Sequence, residues 1–185
     1  MTTTREVFYG VISQEVAPYF FMKDAMICSF FGHRELSDAE ALSPVLKHEI
    51  ENAVADGCRI FYFGGYGEFD WLCYRIVTEY KTENPSLDIK RIYCVPREEY
   101  LRKRVRYFKR EDYEDVIFLS PSFSGWYKSI YYRNCAMIDA SDRIIFYAED
   151  RKDSGAYKAY RYAVKRKKAV VNLWSAPAPA ENLSP

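Results

Sequence analysis

Hydrophobic positions in this chain alternate between short unbroken runs and longer stretches in which apolar residues recur every three or four positions. Ala25–Phe31 is a short run rich in aromatics that ends at Gly32. Ser43-Pro44 predicts a helix start, with serine as the cap and proline in the first turn. Leu46, Ile50, Ala53 and Val54 form its apolar face, and Gly57 stops it. Arg59–Phe63 is a second run, closed by Gly64-Gly65. Phe69, Leu72, Cys73, Ile76, Val77 and Tyr80 then give the clearest helical spacing in the chain. Ile89–Val95 predicts a third strand, and the charged stretch 97–110 a helix. Asp115–Leu119, Arg143–Ala148 and Ala169–Leu173 predict three further strands. Helices over about 127–140 and after Ser154-Gly155 separate them.

Strands that alternate with helices need crossover connections, which make a mainly parallel sheet. The strand runs do not alternate polar and apolar residues, as expected where both sheet faces are covered. The pattern therefore predicts an α/β, Rossmann-like fold with a mainly parallel sheet of about six strands and helices on both faces. The domain spans 24–174. Residues 1–23 fall outside the periodic pattern as an N-terminal extension, and 175–185 form a low-complexity tail with the composition of disorder.

In such sheets ligands bind beyond the carboxyl ends of the strands, so the residues after each run are the candidate site. Gly64-Gly65-Tyr66-Gly67 joins a strand to a helix, and the free amides and positive dipole end of that helix suit an anion. A tight turn that binds nothing has the same sequence. The segment is neither G-x-G-x-x-G nor a Walker loop. Asp70, in the first helical turn, would accept hydrogen bonds from a ribose or base, or simply complement the helix dipole. Ser29, Gly32, His33 and Arg34 stand at the mouth of the first strand. Arg133-Asn134 offers a planar fork suited to phosphate, or an exposed helical arginine. Ser154-Gly155 opens the last helix as a second anion nest or as a plain cap.

Composition narrows the picture. The net charge is +1, so no global field draws in nucleic acid. The two basic runs, 102–110 and 165–168, read as solvated faces, and nucleic acid is not the expected partner. Five cysteines without a C-x-x-C pair, and only His33 and His48, argue for reduced thiols, a cytoplasmic protein and no metal. No apolar run is long enough for a membrane span. Seventeen tyrosines suggest a wet aromatic cleft or a homo-oligomer contact, with Trp126, Tyr127, Tyr131 and Tyr132 as candidates for the latter.

In this order the motifs resemble the SLOG superfamily, the Rossmann-like group that contains DprA and the LOG phosphoribohydrolases, and within it the small YpsA-type branch. The segments that carry the resemblance are Phe31-Gly32-His33-Arg34, Gly64 to Asp70, Arg133-Asn134 with Asp139 and Ser141-Asp142, and Ser154-Gly155-Ala156. The resemblance implies a protein that binds a nucleotide-like small molecule, as sensor or enzyme, with no further cofactor. LOG enzymes cleave the N-glycosidic bond of nucleoside monophosphates. The position of their glutamate is occupied here by Ala159, and their glycine pair is missing. If turnover occurred, Asp70 or Glu68 with Arg133 would have to supply the acid chemistry. A nucleotide-binding sensor is thus the leading expectation, a phosphoribohydrolase the first alternative, and a nucleic-acid interaction module the second.

Overall fold

The computed structural model describes residues 25–101, 109–119 and 126–175. The N-terminal extension, most of the basic run at 102–110 and nearly all of the tail lie outside them. Six strands, β1 (Met26–Gly32), β2 (Cys58–Phe63), β3 (Lys90–Val95), β4 (Asp115–Phe118), β5 (Arg143–Tyr147) and β6 (Ala169–Asn172), form one sheet. Every pairing is parallel, and the spatial order is β4-β3-β2-β1-β5-β6. Helices α1 (Ala39–Ala55), α2 (Gly67–Glu83), α3 (Trp126–Ala140) and α4 (Gly155–Lys165) fill the connections. The expected α/β, Rossmann-like fold is the one observed.

The strands are apolar on both faces because both are covered. Cys28, Phe30, Phe61, Phe63 and Val95 point into a core shared with Leu46, Ile50, Phe69, Cys73 and Val77 of α1 and α2. Ile27, Phe31, Ile60, Ile92 and Phe146 point the other way, against Met137 and Ile138 of α3 and Ala159 and Ala163 of α4. Full burial of each large side chain contributes about 1.5–3 kcal/mol.

Two expected elements differ. α1 begins at Ala39, not at Ser43-Pro44: Asp38 is the cap, its Oδ1 accepting from the Ala41 amide at 2.8 Å. Pro44 therefore lies inside the helix as its sixth residue, past the free amides of the first turn, and the Glu40 carbonyl loses the i to i−4 bond that another residue would donate. The helix expected at 97–110 lies largely outside the described residues. Its described beginning is one 3₁₀ turn, Glu98–Tyr100, with Tyr100 buried.

Candidate functional site

The sheet order places the site. β1 has β2 on one side and β5 on the other. The chain runs outward from β1 to β4, then returns across to β5. The connections leaving β1 and β5 diverge, and a crevice is left beyond their carboxyl ends. A cleft of about 790 Å³ occupies this position, lined by the loop after β1, Gly64 and Tyr66 after β2, Arg133 on α3, the segment after β5 and Trp174 after β6. That volume suits a ligand the size of a nucleotide.

The glycine loop does not present its amides to this cleft as an empty anion nest. Asp70 fills the nest itself. Its Oδ2 accepts from the Tyr66 amide at 3.0 Å, and the amides of Gly65 and Gly64 add to the stabilisation. Asp70 is only 5% exposed, and its Oδ1 has no hydrogen-bond partner. Burial is the largest influence on this carboxyl and lifts its pKa to about 6, against the opposing pull of the Tyr66 amide and the Arg133 charge. An external phosphate here would have to share the nest with this carboxylate.

Arg133 is 3% exposed rather than a solvated helical arginine. Its Nη1 donates to the carbonyls of Gly64 at 2.6 Å and Cys94 at 2.9 Å, the carboxyl ends of β2 and β3. Its Nε donates to Asn134 Oδ1 at 2.9 Å, and the guanidinium lies 5.6 Å from the centre of the Tyr66 ring. The two carbonyls and the aromatic face offset the cost of burying the charge. A Cβ at Gly64 would meet Arg133 Nη1 at 2.7 Å, so a larger residue there would displace the guanidinium from these carbonyls.

On the other side, His33 and Glu149 clasp the ends of β1 and β5. His33 Nε2 accepts from the Glu149 amide at 3.0 Å. Burial, and then the Arg151 charge, lower the His33 pKa, so the imidazole is neutral with its proton on Nδ1. Its ring meets Tyr147 and Trp174 edge-on. Arg34 and Arg151 are exposed at the rim, and Trp174 is 40% exposed. Ser154 caps α4, its Oγ accepting from the Tyr157 amide at 3.3 Å. The Gly155 and Ala156 amides at the head of α4 remain beside the cleft.

Most of the sequence-derived candidates thus gather in one place: Gly32, His33, Arg34, Gly64, Tyr66, Asp70, Arg133, Asn134, Ser154 and Gly155 all line the cleft. Four do not. Ser29 is wholly buried in β1, bonded to Ser141 Oγ, because its side chain points at α3 rather than out of the strand end. Gly65 packs its backbone against the Tyr93 ring, and Gly67 packs against Arg34. Glu68 straps the loop after β1, its Oε2 accepting from Leu36 N at 2.8 Å and its own amide donating to Arg34 O at 2.8 Å. It is not among the residues lining the cleft. Ala159, at the position of the LOG glutamate, is buried against the sheet. Sequence reasoning missed Tyr147, Arg151 and Trp174. All three lie at or beyond the ends of β5 and β6, where the carboxyl-end rule itself points.

An all-parallel Rossmann-like domain with an arginine- and aromatic-lined cleft at its switch point is the class that fold and site define. Among solved structures, the chain is similar to DNA processing protein A (DprA). The Streptococcus pneumoniae protein matches with a TM-score of 0.56 and 15% identity, over 80% of this chain and 50% of that one. The Helicobacter pylori protein, whose structure addresses its single-stranded DNA binding mode, matches with a TM-score of 0.57 and 17% identity, over 82% and 66%. This chain thus spans half to two thirds of the length of those proteins. At such identities the likeness is one of fold. It agrees with the Rossmann-like fold that the resemblance implied, and the YpsA-type branch is not singled out. No family model and no curated protein matches the sequence. One expectation is corrected: nucleic acid was set aside as a partner because of the near-neutral net charge, yet a protein of this fold engages single-stranded DNA. Net charge averages over the whole surface, whereas a strand meets only the local field of the groove it enters.

Proposed function

We propose that the cleft binds a single strand of DNA, seating one nucleotide at the switch point between β1 and β5. The observation that carries this reading is the pairing, in one cleft, of rim cations with an open aromatic face: Arg34 and Arg151 beside Trp174. Phosphates would take the two arginines and the amides at the head of α4, where the helix dipole favours negative charge. A base would stack on Trp174, a sequence-tolerant contact worth about 1–3 kcal/mol. The fold likeness to a DprA known in connection with single-stranded DNA supports the reading.

The test is fluorescence anisotropy with a labelled twenty-residue oligothymidine at several salt concentrations. Affinity should fall as salt rises, by roughly 0.7 log units per tenfold salt for each phosphate held. Arg34→Ala with Arg151→Ala should weaken it at least tenfold, and Trp174 fluorescence should change on binding. Binding that is unaltered in the double arginine variant sinks the proposal.

A second reading, a mononucleotide ligand, is favoured by the acidic share of the lining: Glu35, Glu149 and Asp153 surround the same cleft and oppose a long polyanion. It predicts that mononucleotides raise the melting temperature according to RT ln(1 + [L]/Kd), while the oligothymidine leaves both anisotropy and melting unchanged.

A further inference from the structure

Helix α4 carries a second feature away from the cleft. Lys158, Arg161 and Lys165 are all exposed and recur at intervals of three and four, which places them on one face. No ion pair engages any of the three among the described residues. Across from them on α3, Tyr131 is 48% exposed and meets Tyr132 edge-on. A groove of about 840 Å³ runs between the two helices, lined by Tyr131 and by the α4 residues that face it. No acid is among the described residues lining this groove, and Asp139, which bonds two of them, is already engaged: its Oδ1 accepts from Arg166 Nε at 2.8 Å and its Oδ2 from the Tyr162 hydroxyl at 2.8 Å. It leaves the cationic stripe unneutralised.

The groove and the cleft belong to the same helix. The head of α4, Ser154 to Ala156, lines the cleft, and the eleven residues of α4 extend about 16 Å from there. Cations in a row beside an exposed aromatic ring are the chemistry that tracks a phosphodiester backbone and stacks a base.

We propose that the α3–α4 groove is a second contact for the same DNA strand. Lys158, Arg161 and Lys165 hold successive phosphates and Tyr131 stacks a base, while one nucleotide occupies the cleft. The inference rests on the strand reading of the cleft and extends it from one nucleotide to a tract.

The experiment compares labelled oligothymidines of four and twenty residues on the intact protein. The wild type should hold the longer strand at least tenfold more tightly. In the triple variant Lys158→Gln/Arg161→Gln/Lys165→Gln the four-residue affinity should be unchanged. The length advantage should shrink below threefold, and the salt slope for the longer strand should fall by about 2, the value for three phosphates of a single strand. Tyr131→Ala should weaken the longer strand about fivefold or more. All four side chains are exposed, so circular dichroism and melting temperature should match the wild type.

An undiminished length advantage in the triple variant overturns the inference, as does equal weakening of both lengths. Loss seen with oligouridine and not with oligothymidine also overturns it. A wild type that light scattering finds dimeric, and that Tyr131→Ala makes monomeric without altering DNA affinity, assigns the groove to a second copy instead. If the short strand is held and Arg34→Ala/Arg151→Ala releases it while the triple variant changes nothing, the groove fails and the cleft stands. If no length is bound, both fall together.

Discussion

At the scale of single residues, Asp70 is the least comfortable group in the cleft. Its carboxyl titrates at about 6, mainly because burial penalises the charge. The folded state therefore binds a proton more readily than the unfolded chain between about pH 4 and 6, and stability falls as the pH rises through that window. At pH 7.5 the charged side chain costs on the order of 1–3 kcal/mol. Asp70→Asn keeps an acceptor for the Tyr66 amide and removes the charge. Thermal unfolding should show a higher melting temperature at pH 7.5 and a flatter profile between pH 4 and 6. Gly65 and Gly155 make a contrasting pair. Gly65 has φ +71°, and a Cβ there would meet the Tyr93 ring. Gly65→Ala should cost about 1–3 kcal/mol in urea unfolding. Gly155 has open space where a Cβ would go, and Gly155→Ala should leave stability within about 0.5 kcal/mol. The sequence marked both glycines alike; only the backbone angles and the neighbouring ring separate them.

At the scale of elements, one carboxylate reinforces the pairing of the edge strand β4 with β3. Glu114, the residue before it, accepts from Arg91 Nε at 3.1 Å, from Arg91 Nη2 at 2.8 Å and from Lys81 Nζ at 2.8 Å. This ties β4 to β3 and α2. Partial burial pushes the Glu114 carboxyl up, but the hydrogen bonds from Arg91 and Lys81 outweigh it and hold the pKa at about 2. Because the folded value is depressed, the contribution is complete above about pH 4.5 and is lost as the pH falls towards 2. Glu114→Gln should destabilise the protein by on the order of 1–3 kcal/mol at pH 7. It should also flatten the acid limb of a pH–stability curve measured by denaturant unfolding. The elements themselves were largely legible: α2 emerged from its apolar spacing and all six strands from their runs, within a residue or so at each end. The start of α1 was not, because Ser43-Pro44 and Asp38 both make valid caps and only the packing of Leu42 under the sheet chooses between them.

At the scale of the whole molecule, the centre of the sheet should outlast its edges. β1 and β2 are paired on both sides and buried on both faces, whereas β4 and β6 are edge strands with partly exposed residues. Native-state hydrogen exchange should give the slowest amides in β1 and β2 and the fastest strand amides in β4 and β6. A uniform pattern would contradict this order. The sequence alone determined the fold class, the six strands and the loops at which a ligand would be sought. Those follow from local periodicity and turn chemistry, which neighbouring residues settle among themselves. Strand order, the burial of Arg133 on the carbonyls of β2 and β3, the capture of the glycine nest by Asp70 and the recruitment of Arg151 and Trp174 were decided only in three dimensions. Each joins segments far apart in the chain, and no local pattern encodes which of several sterically allowed neighbours a strand end or a guanidinium will meet.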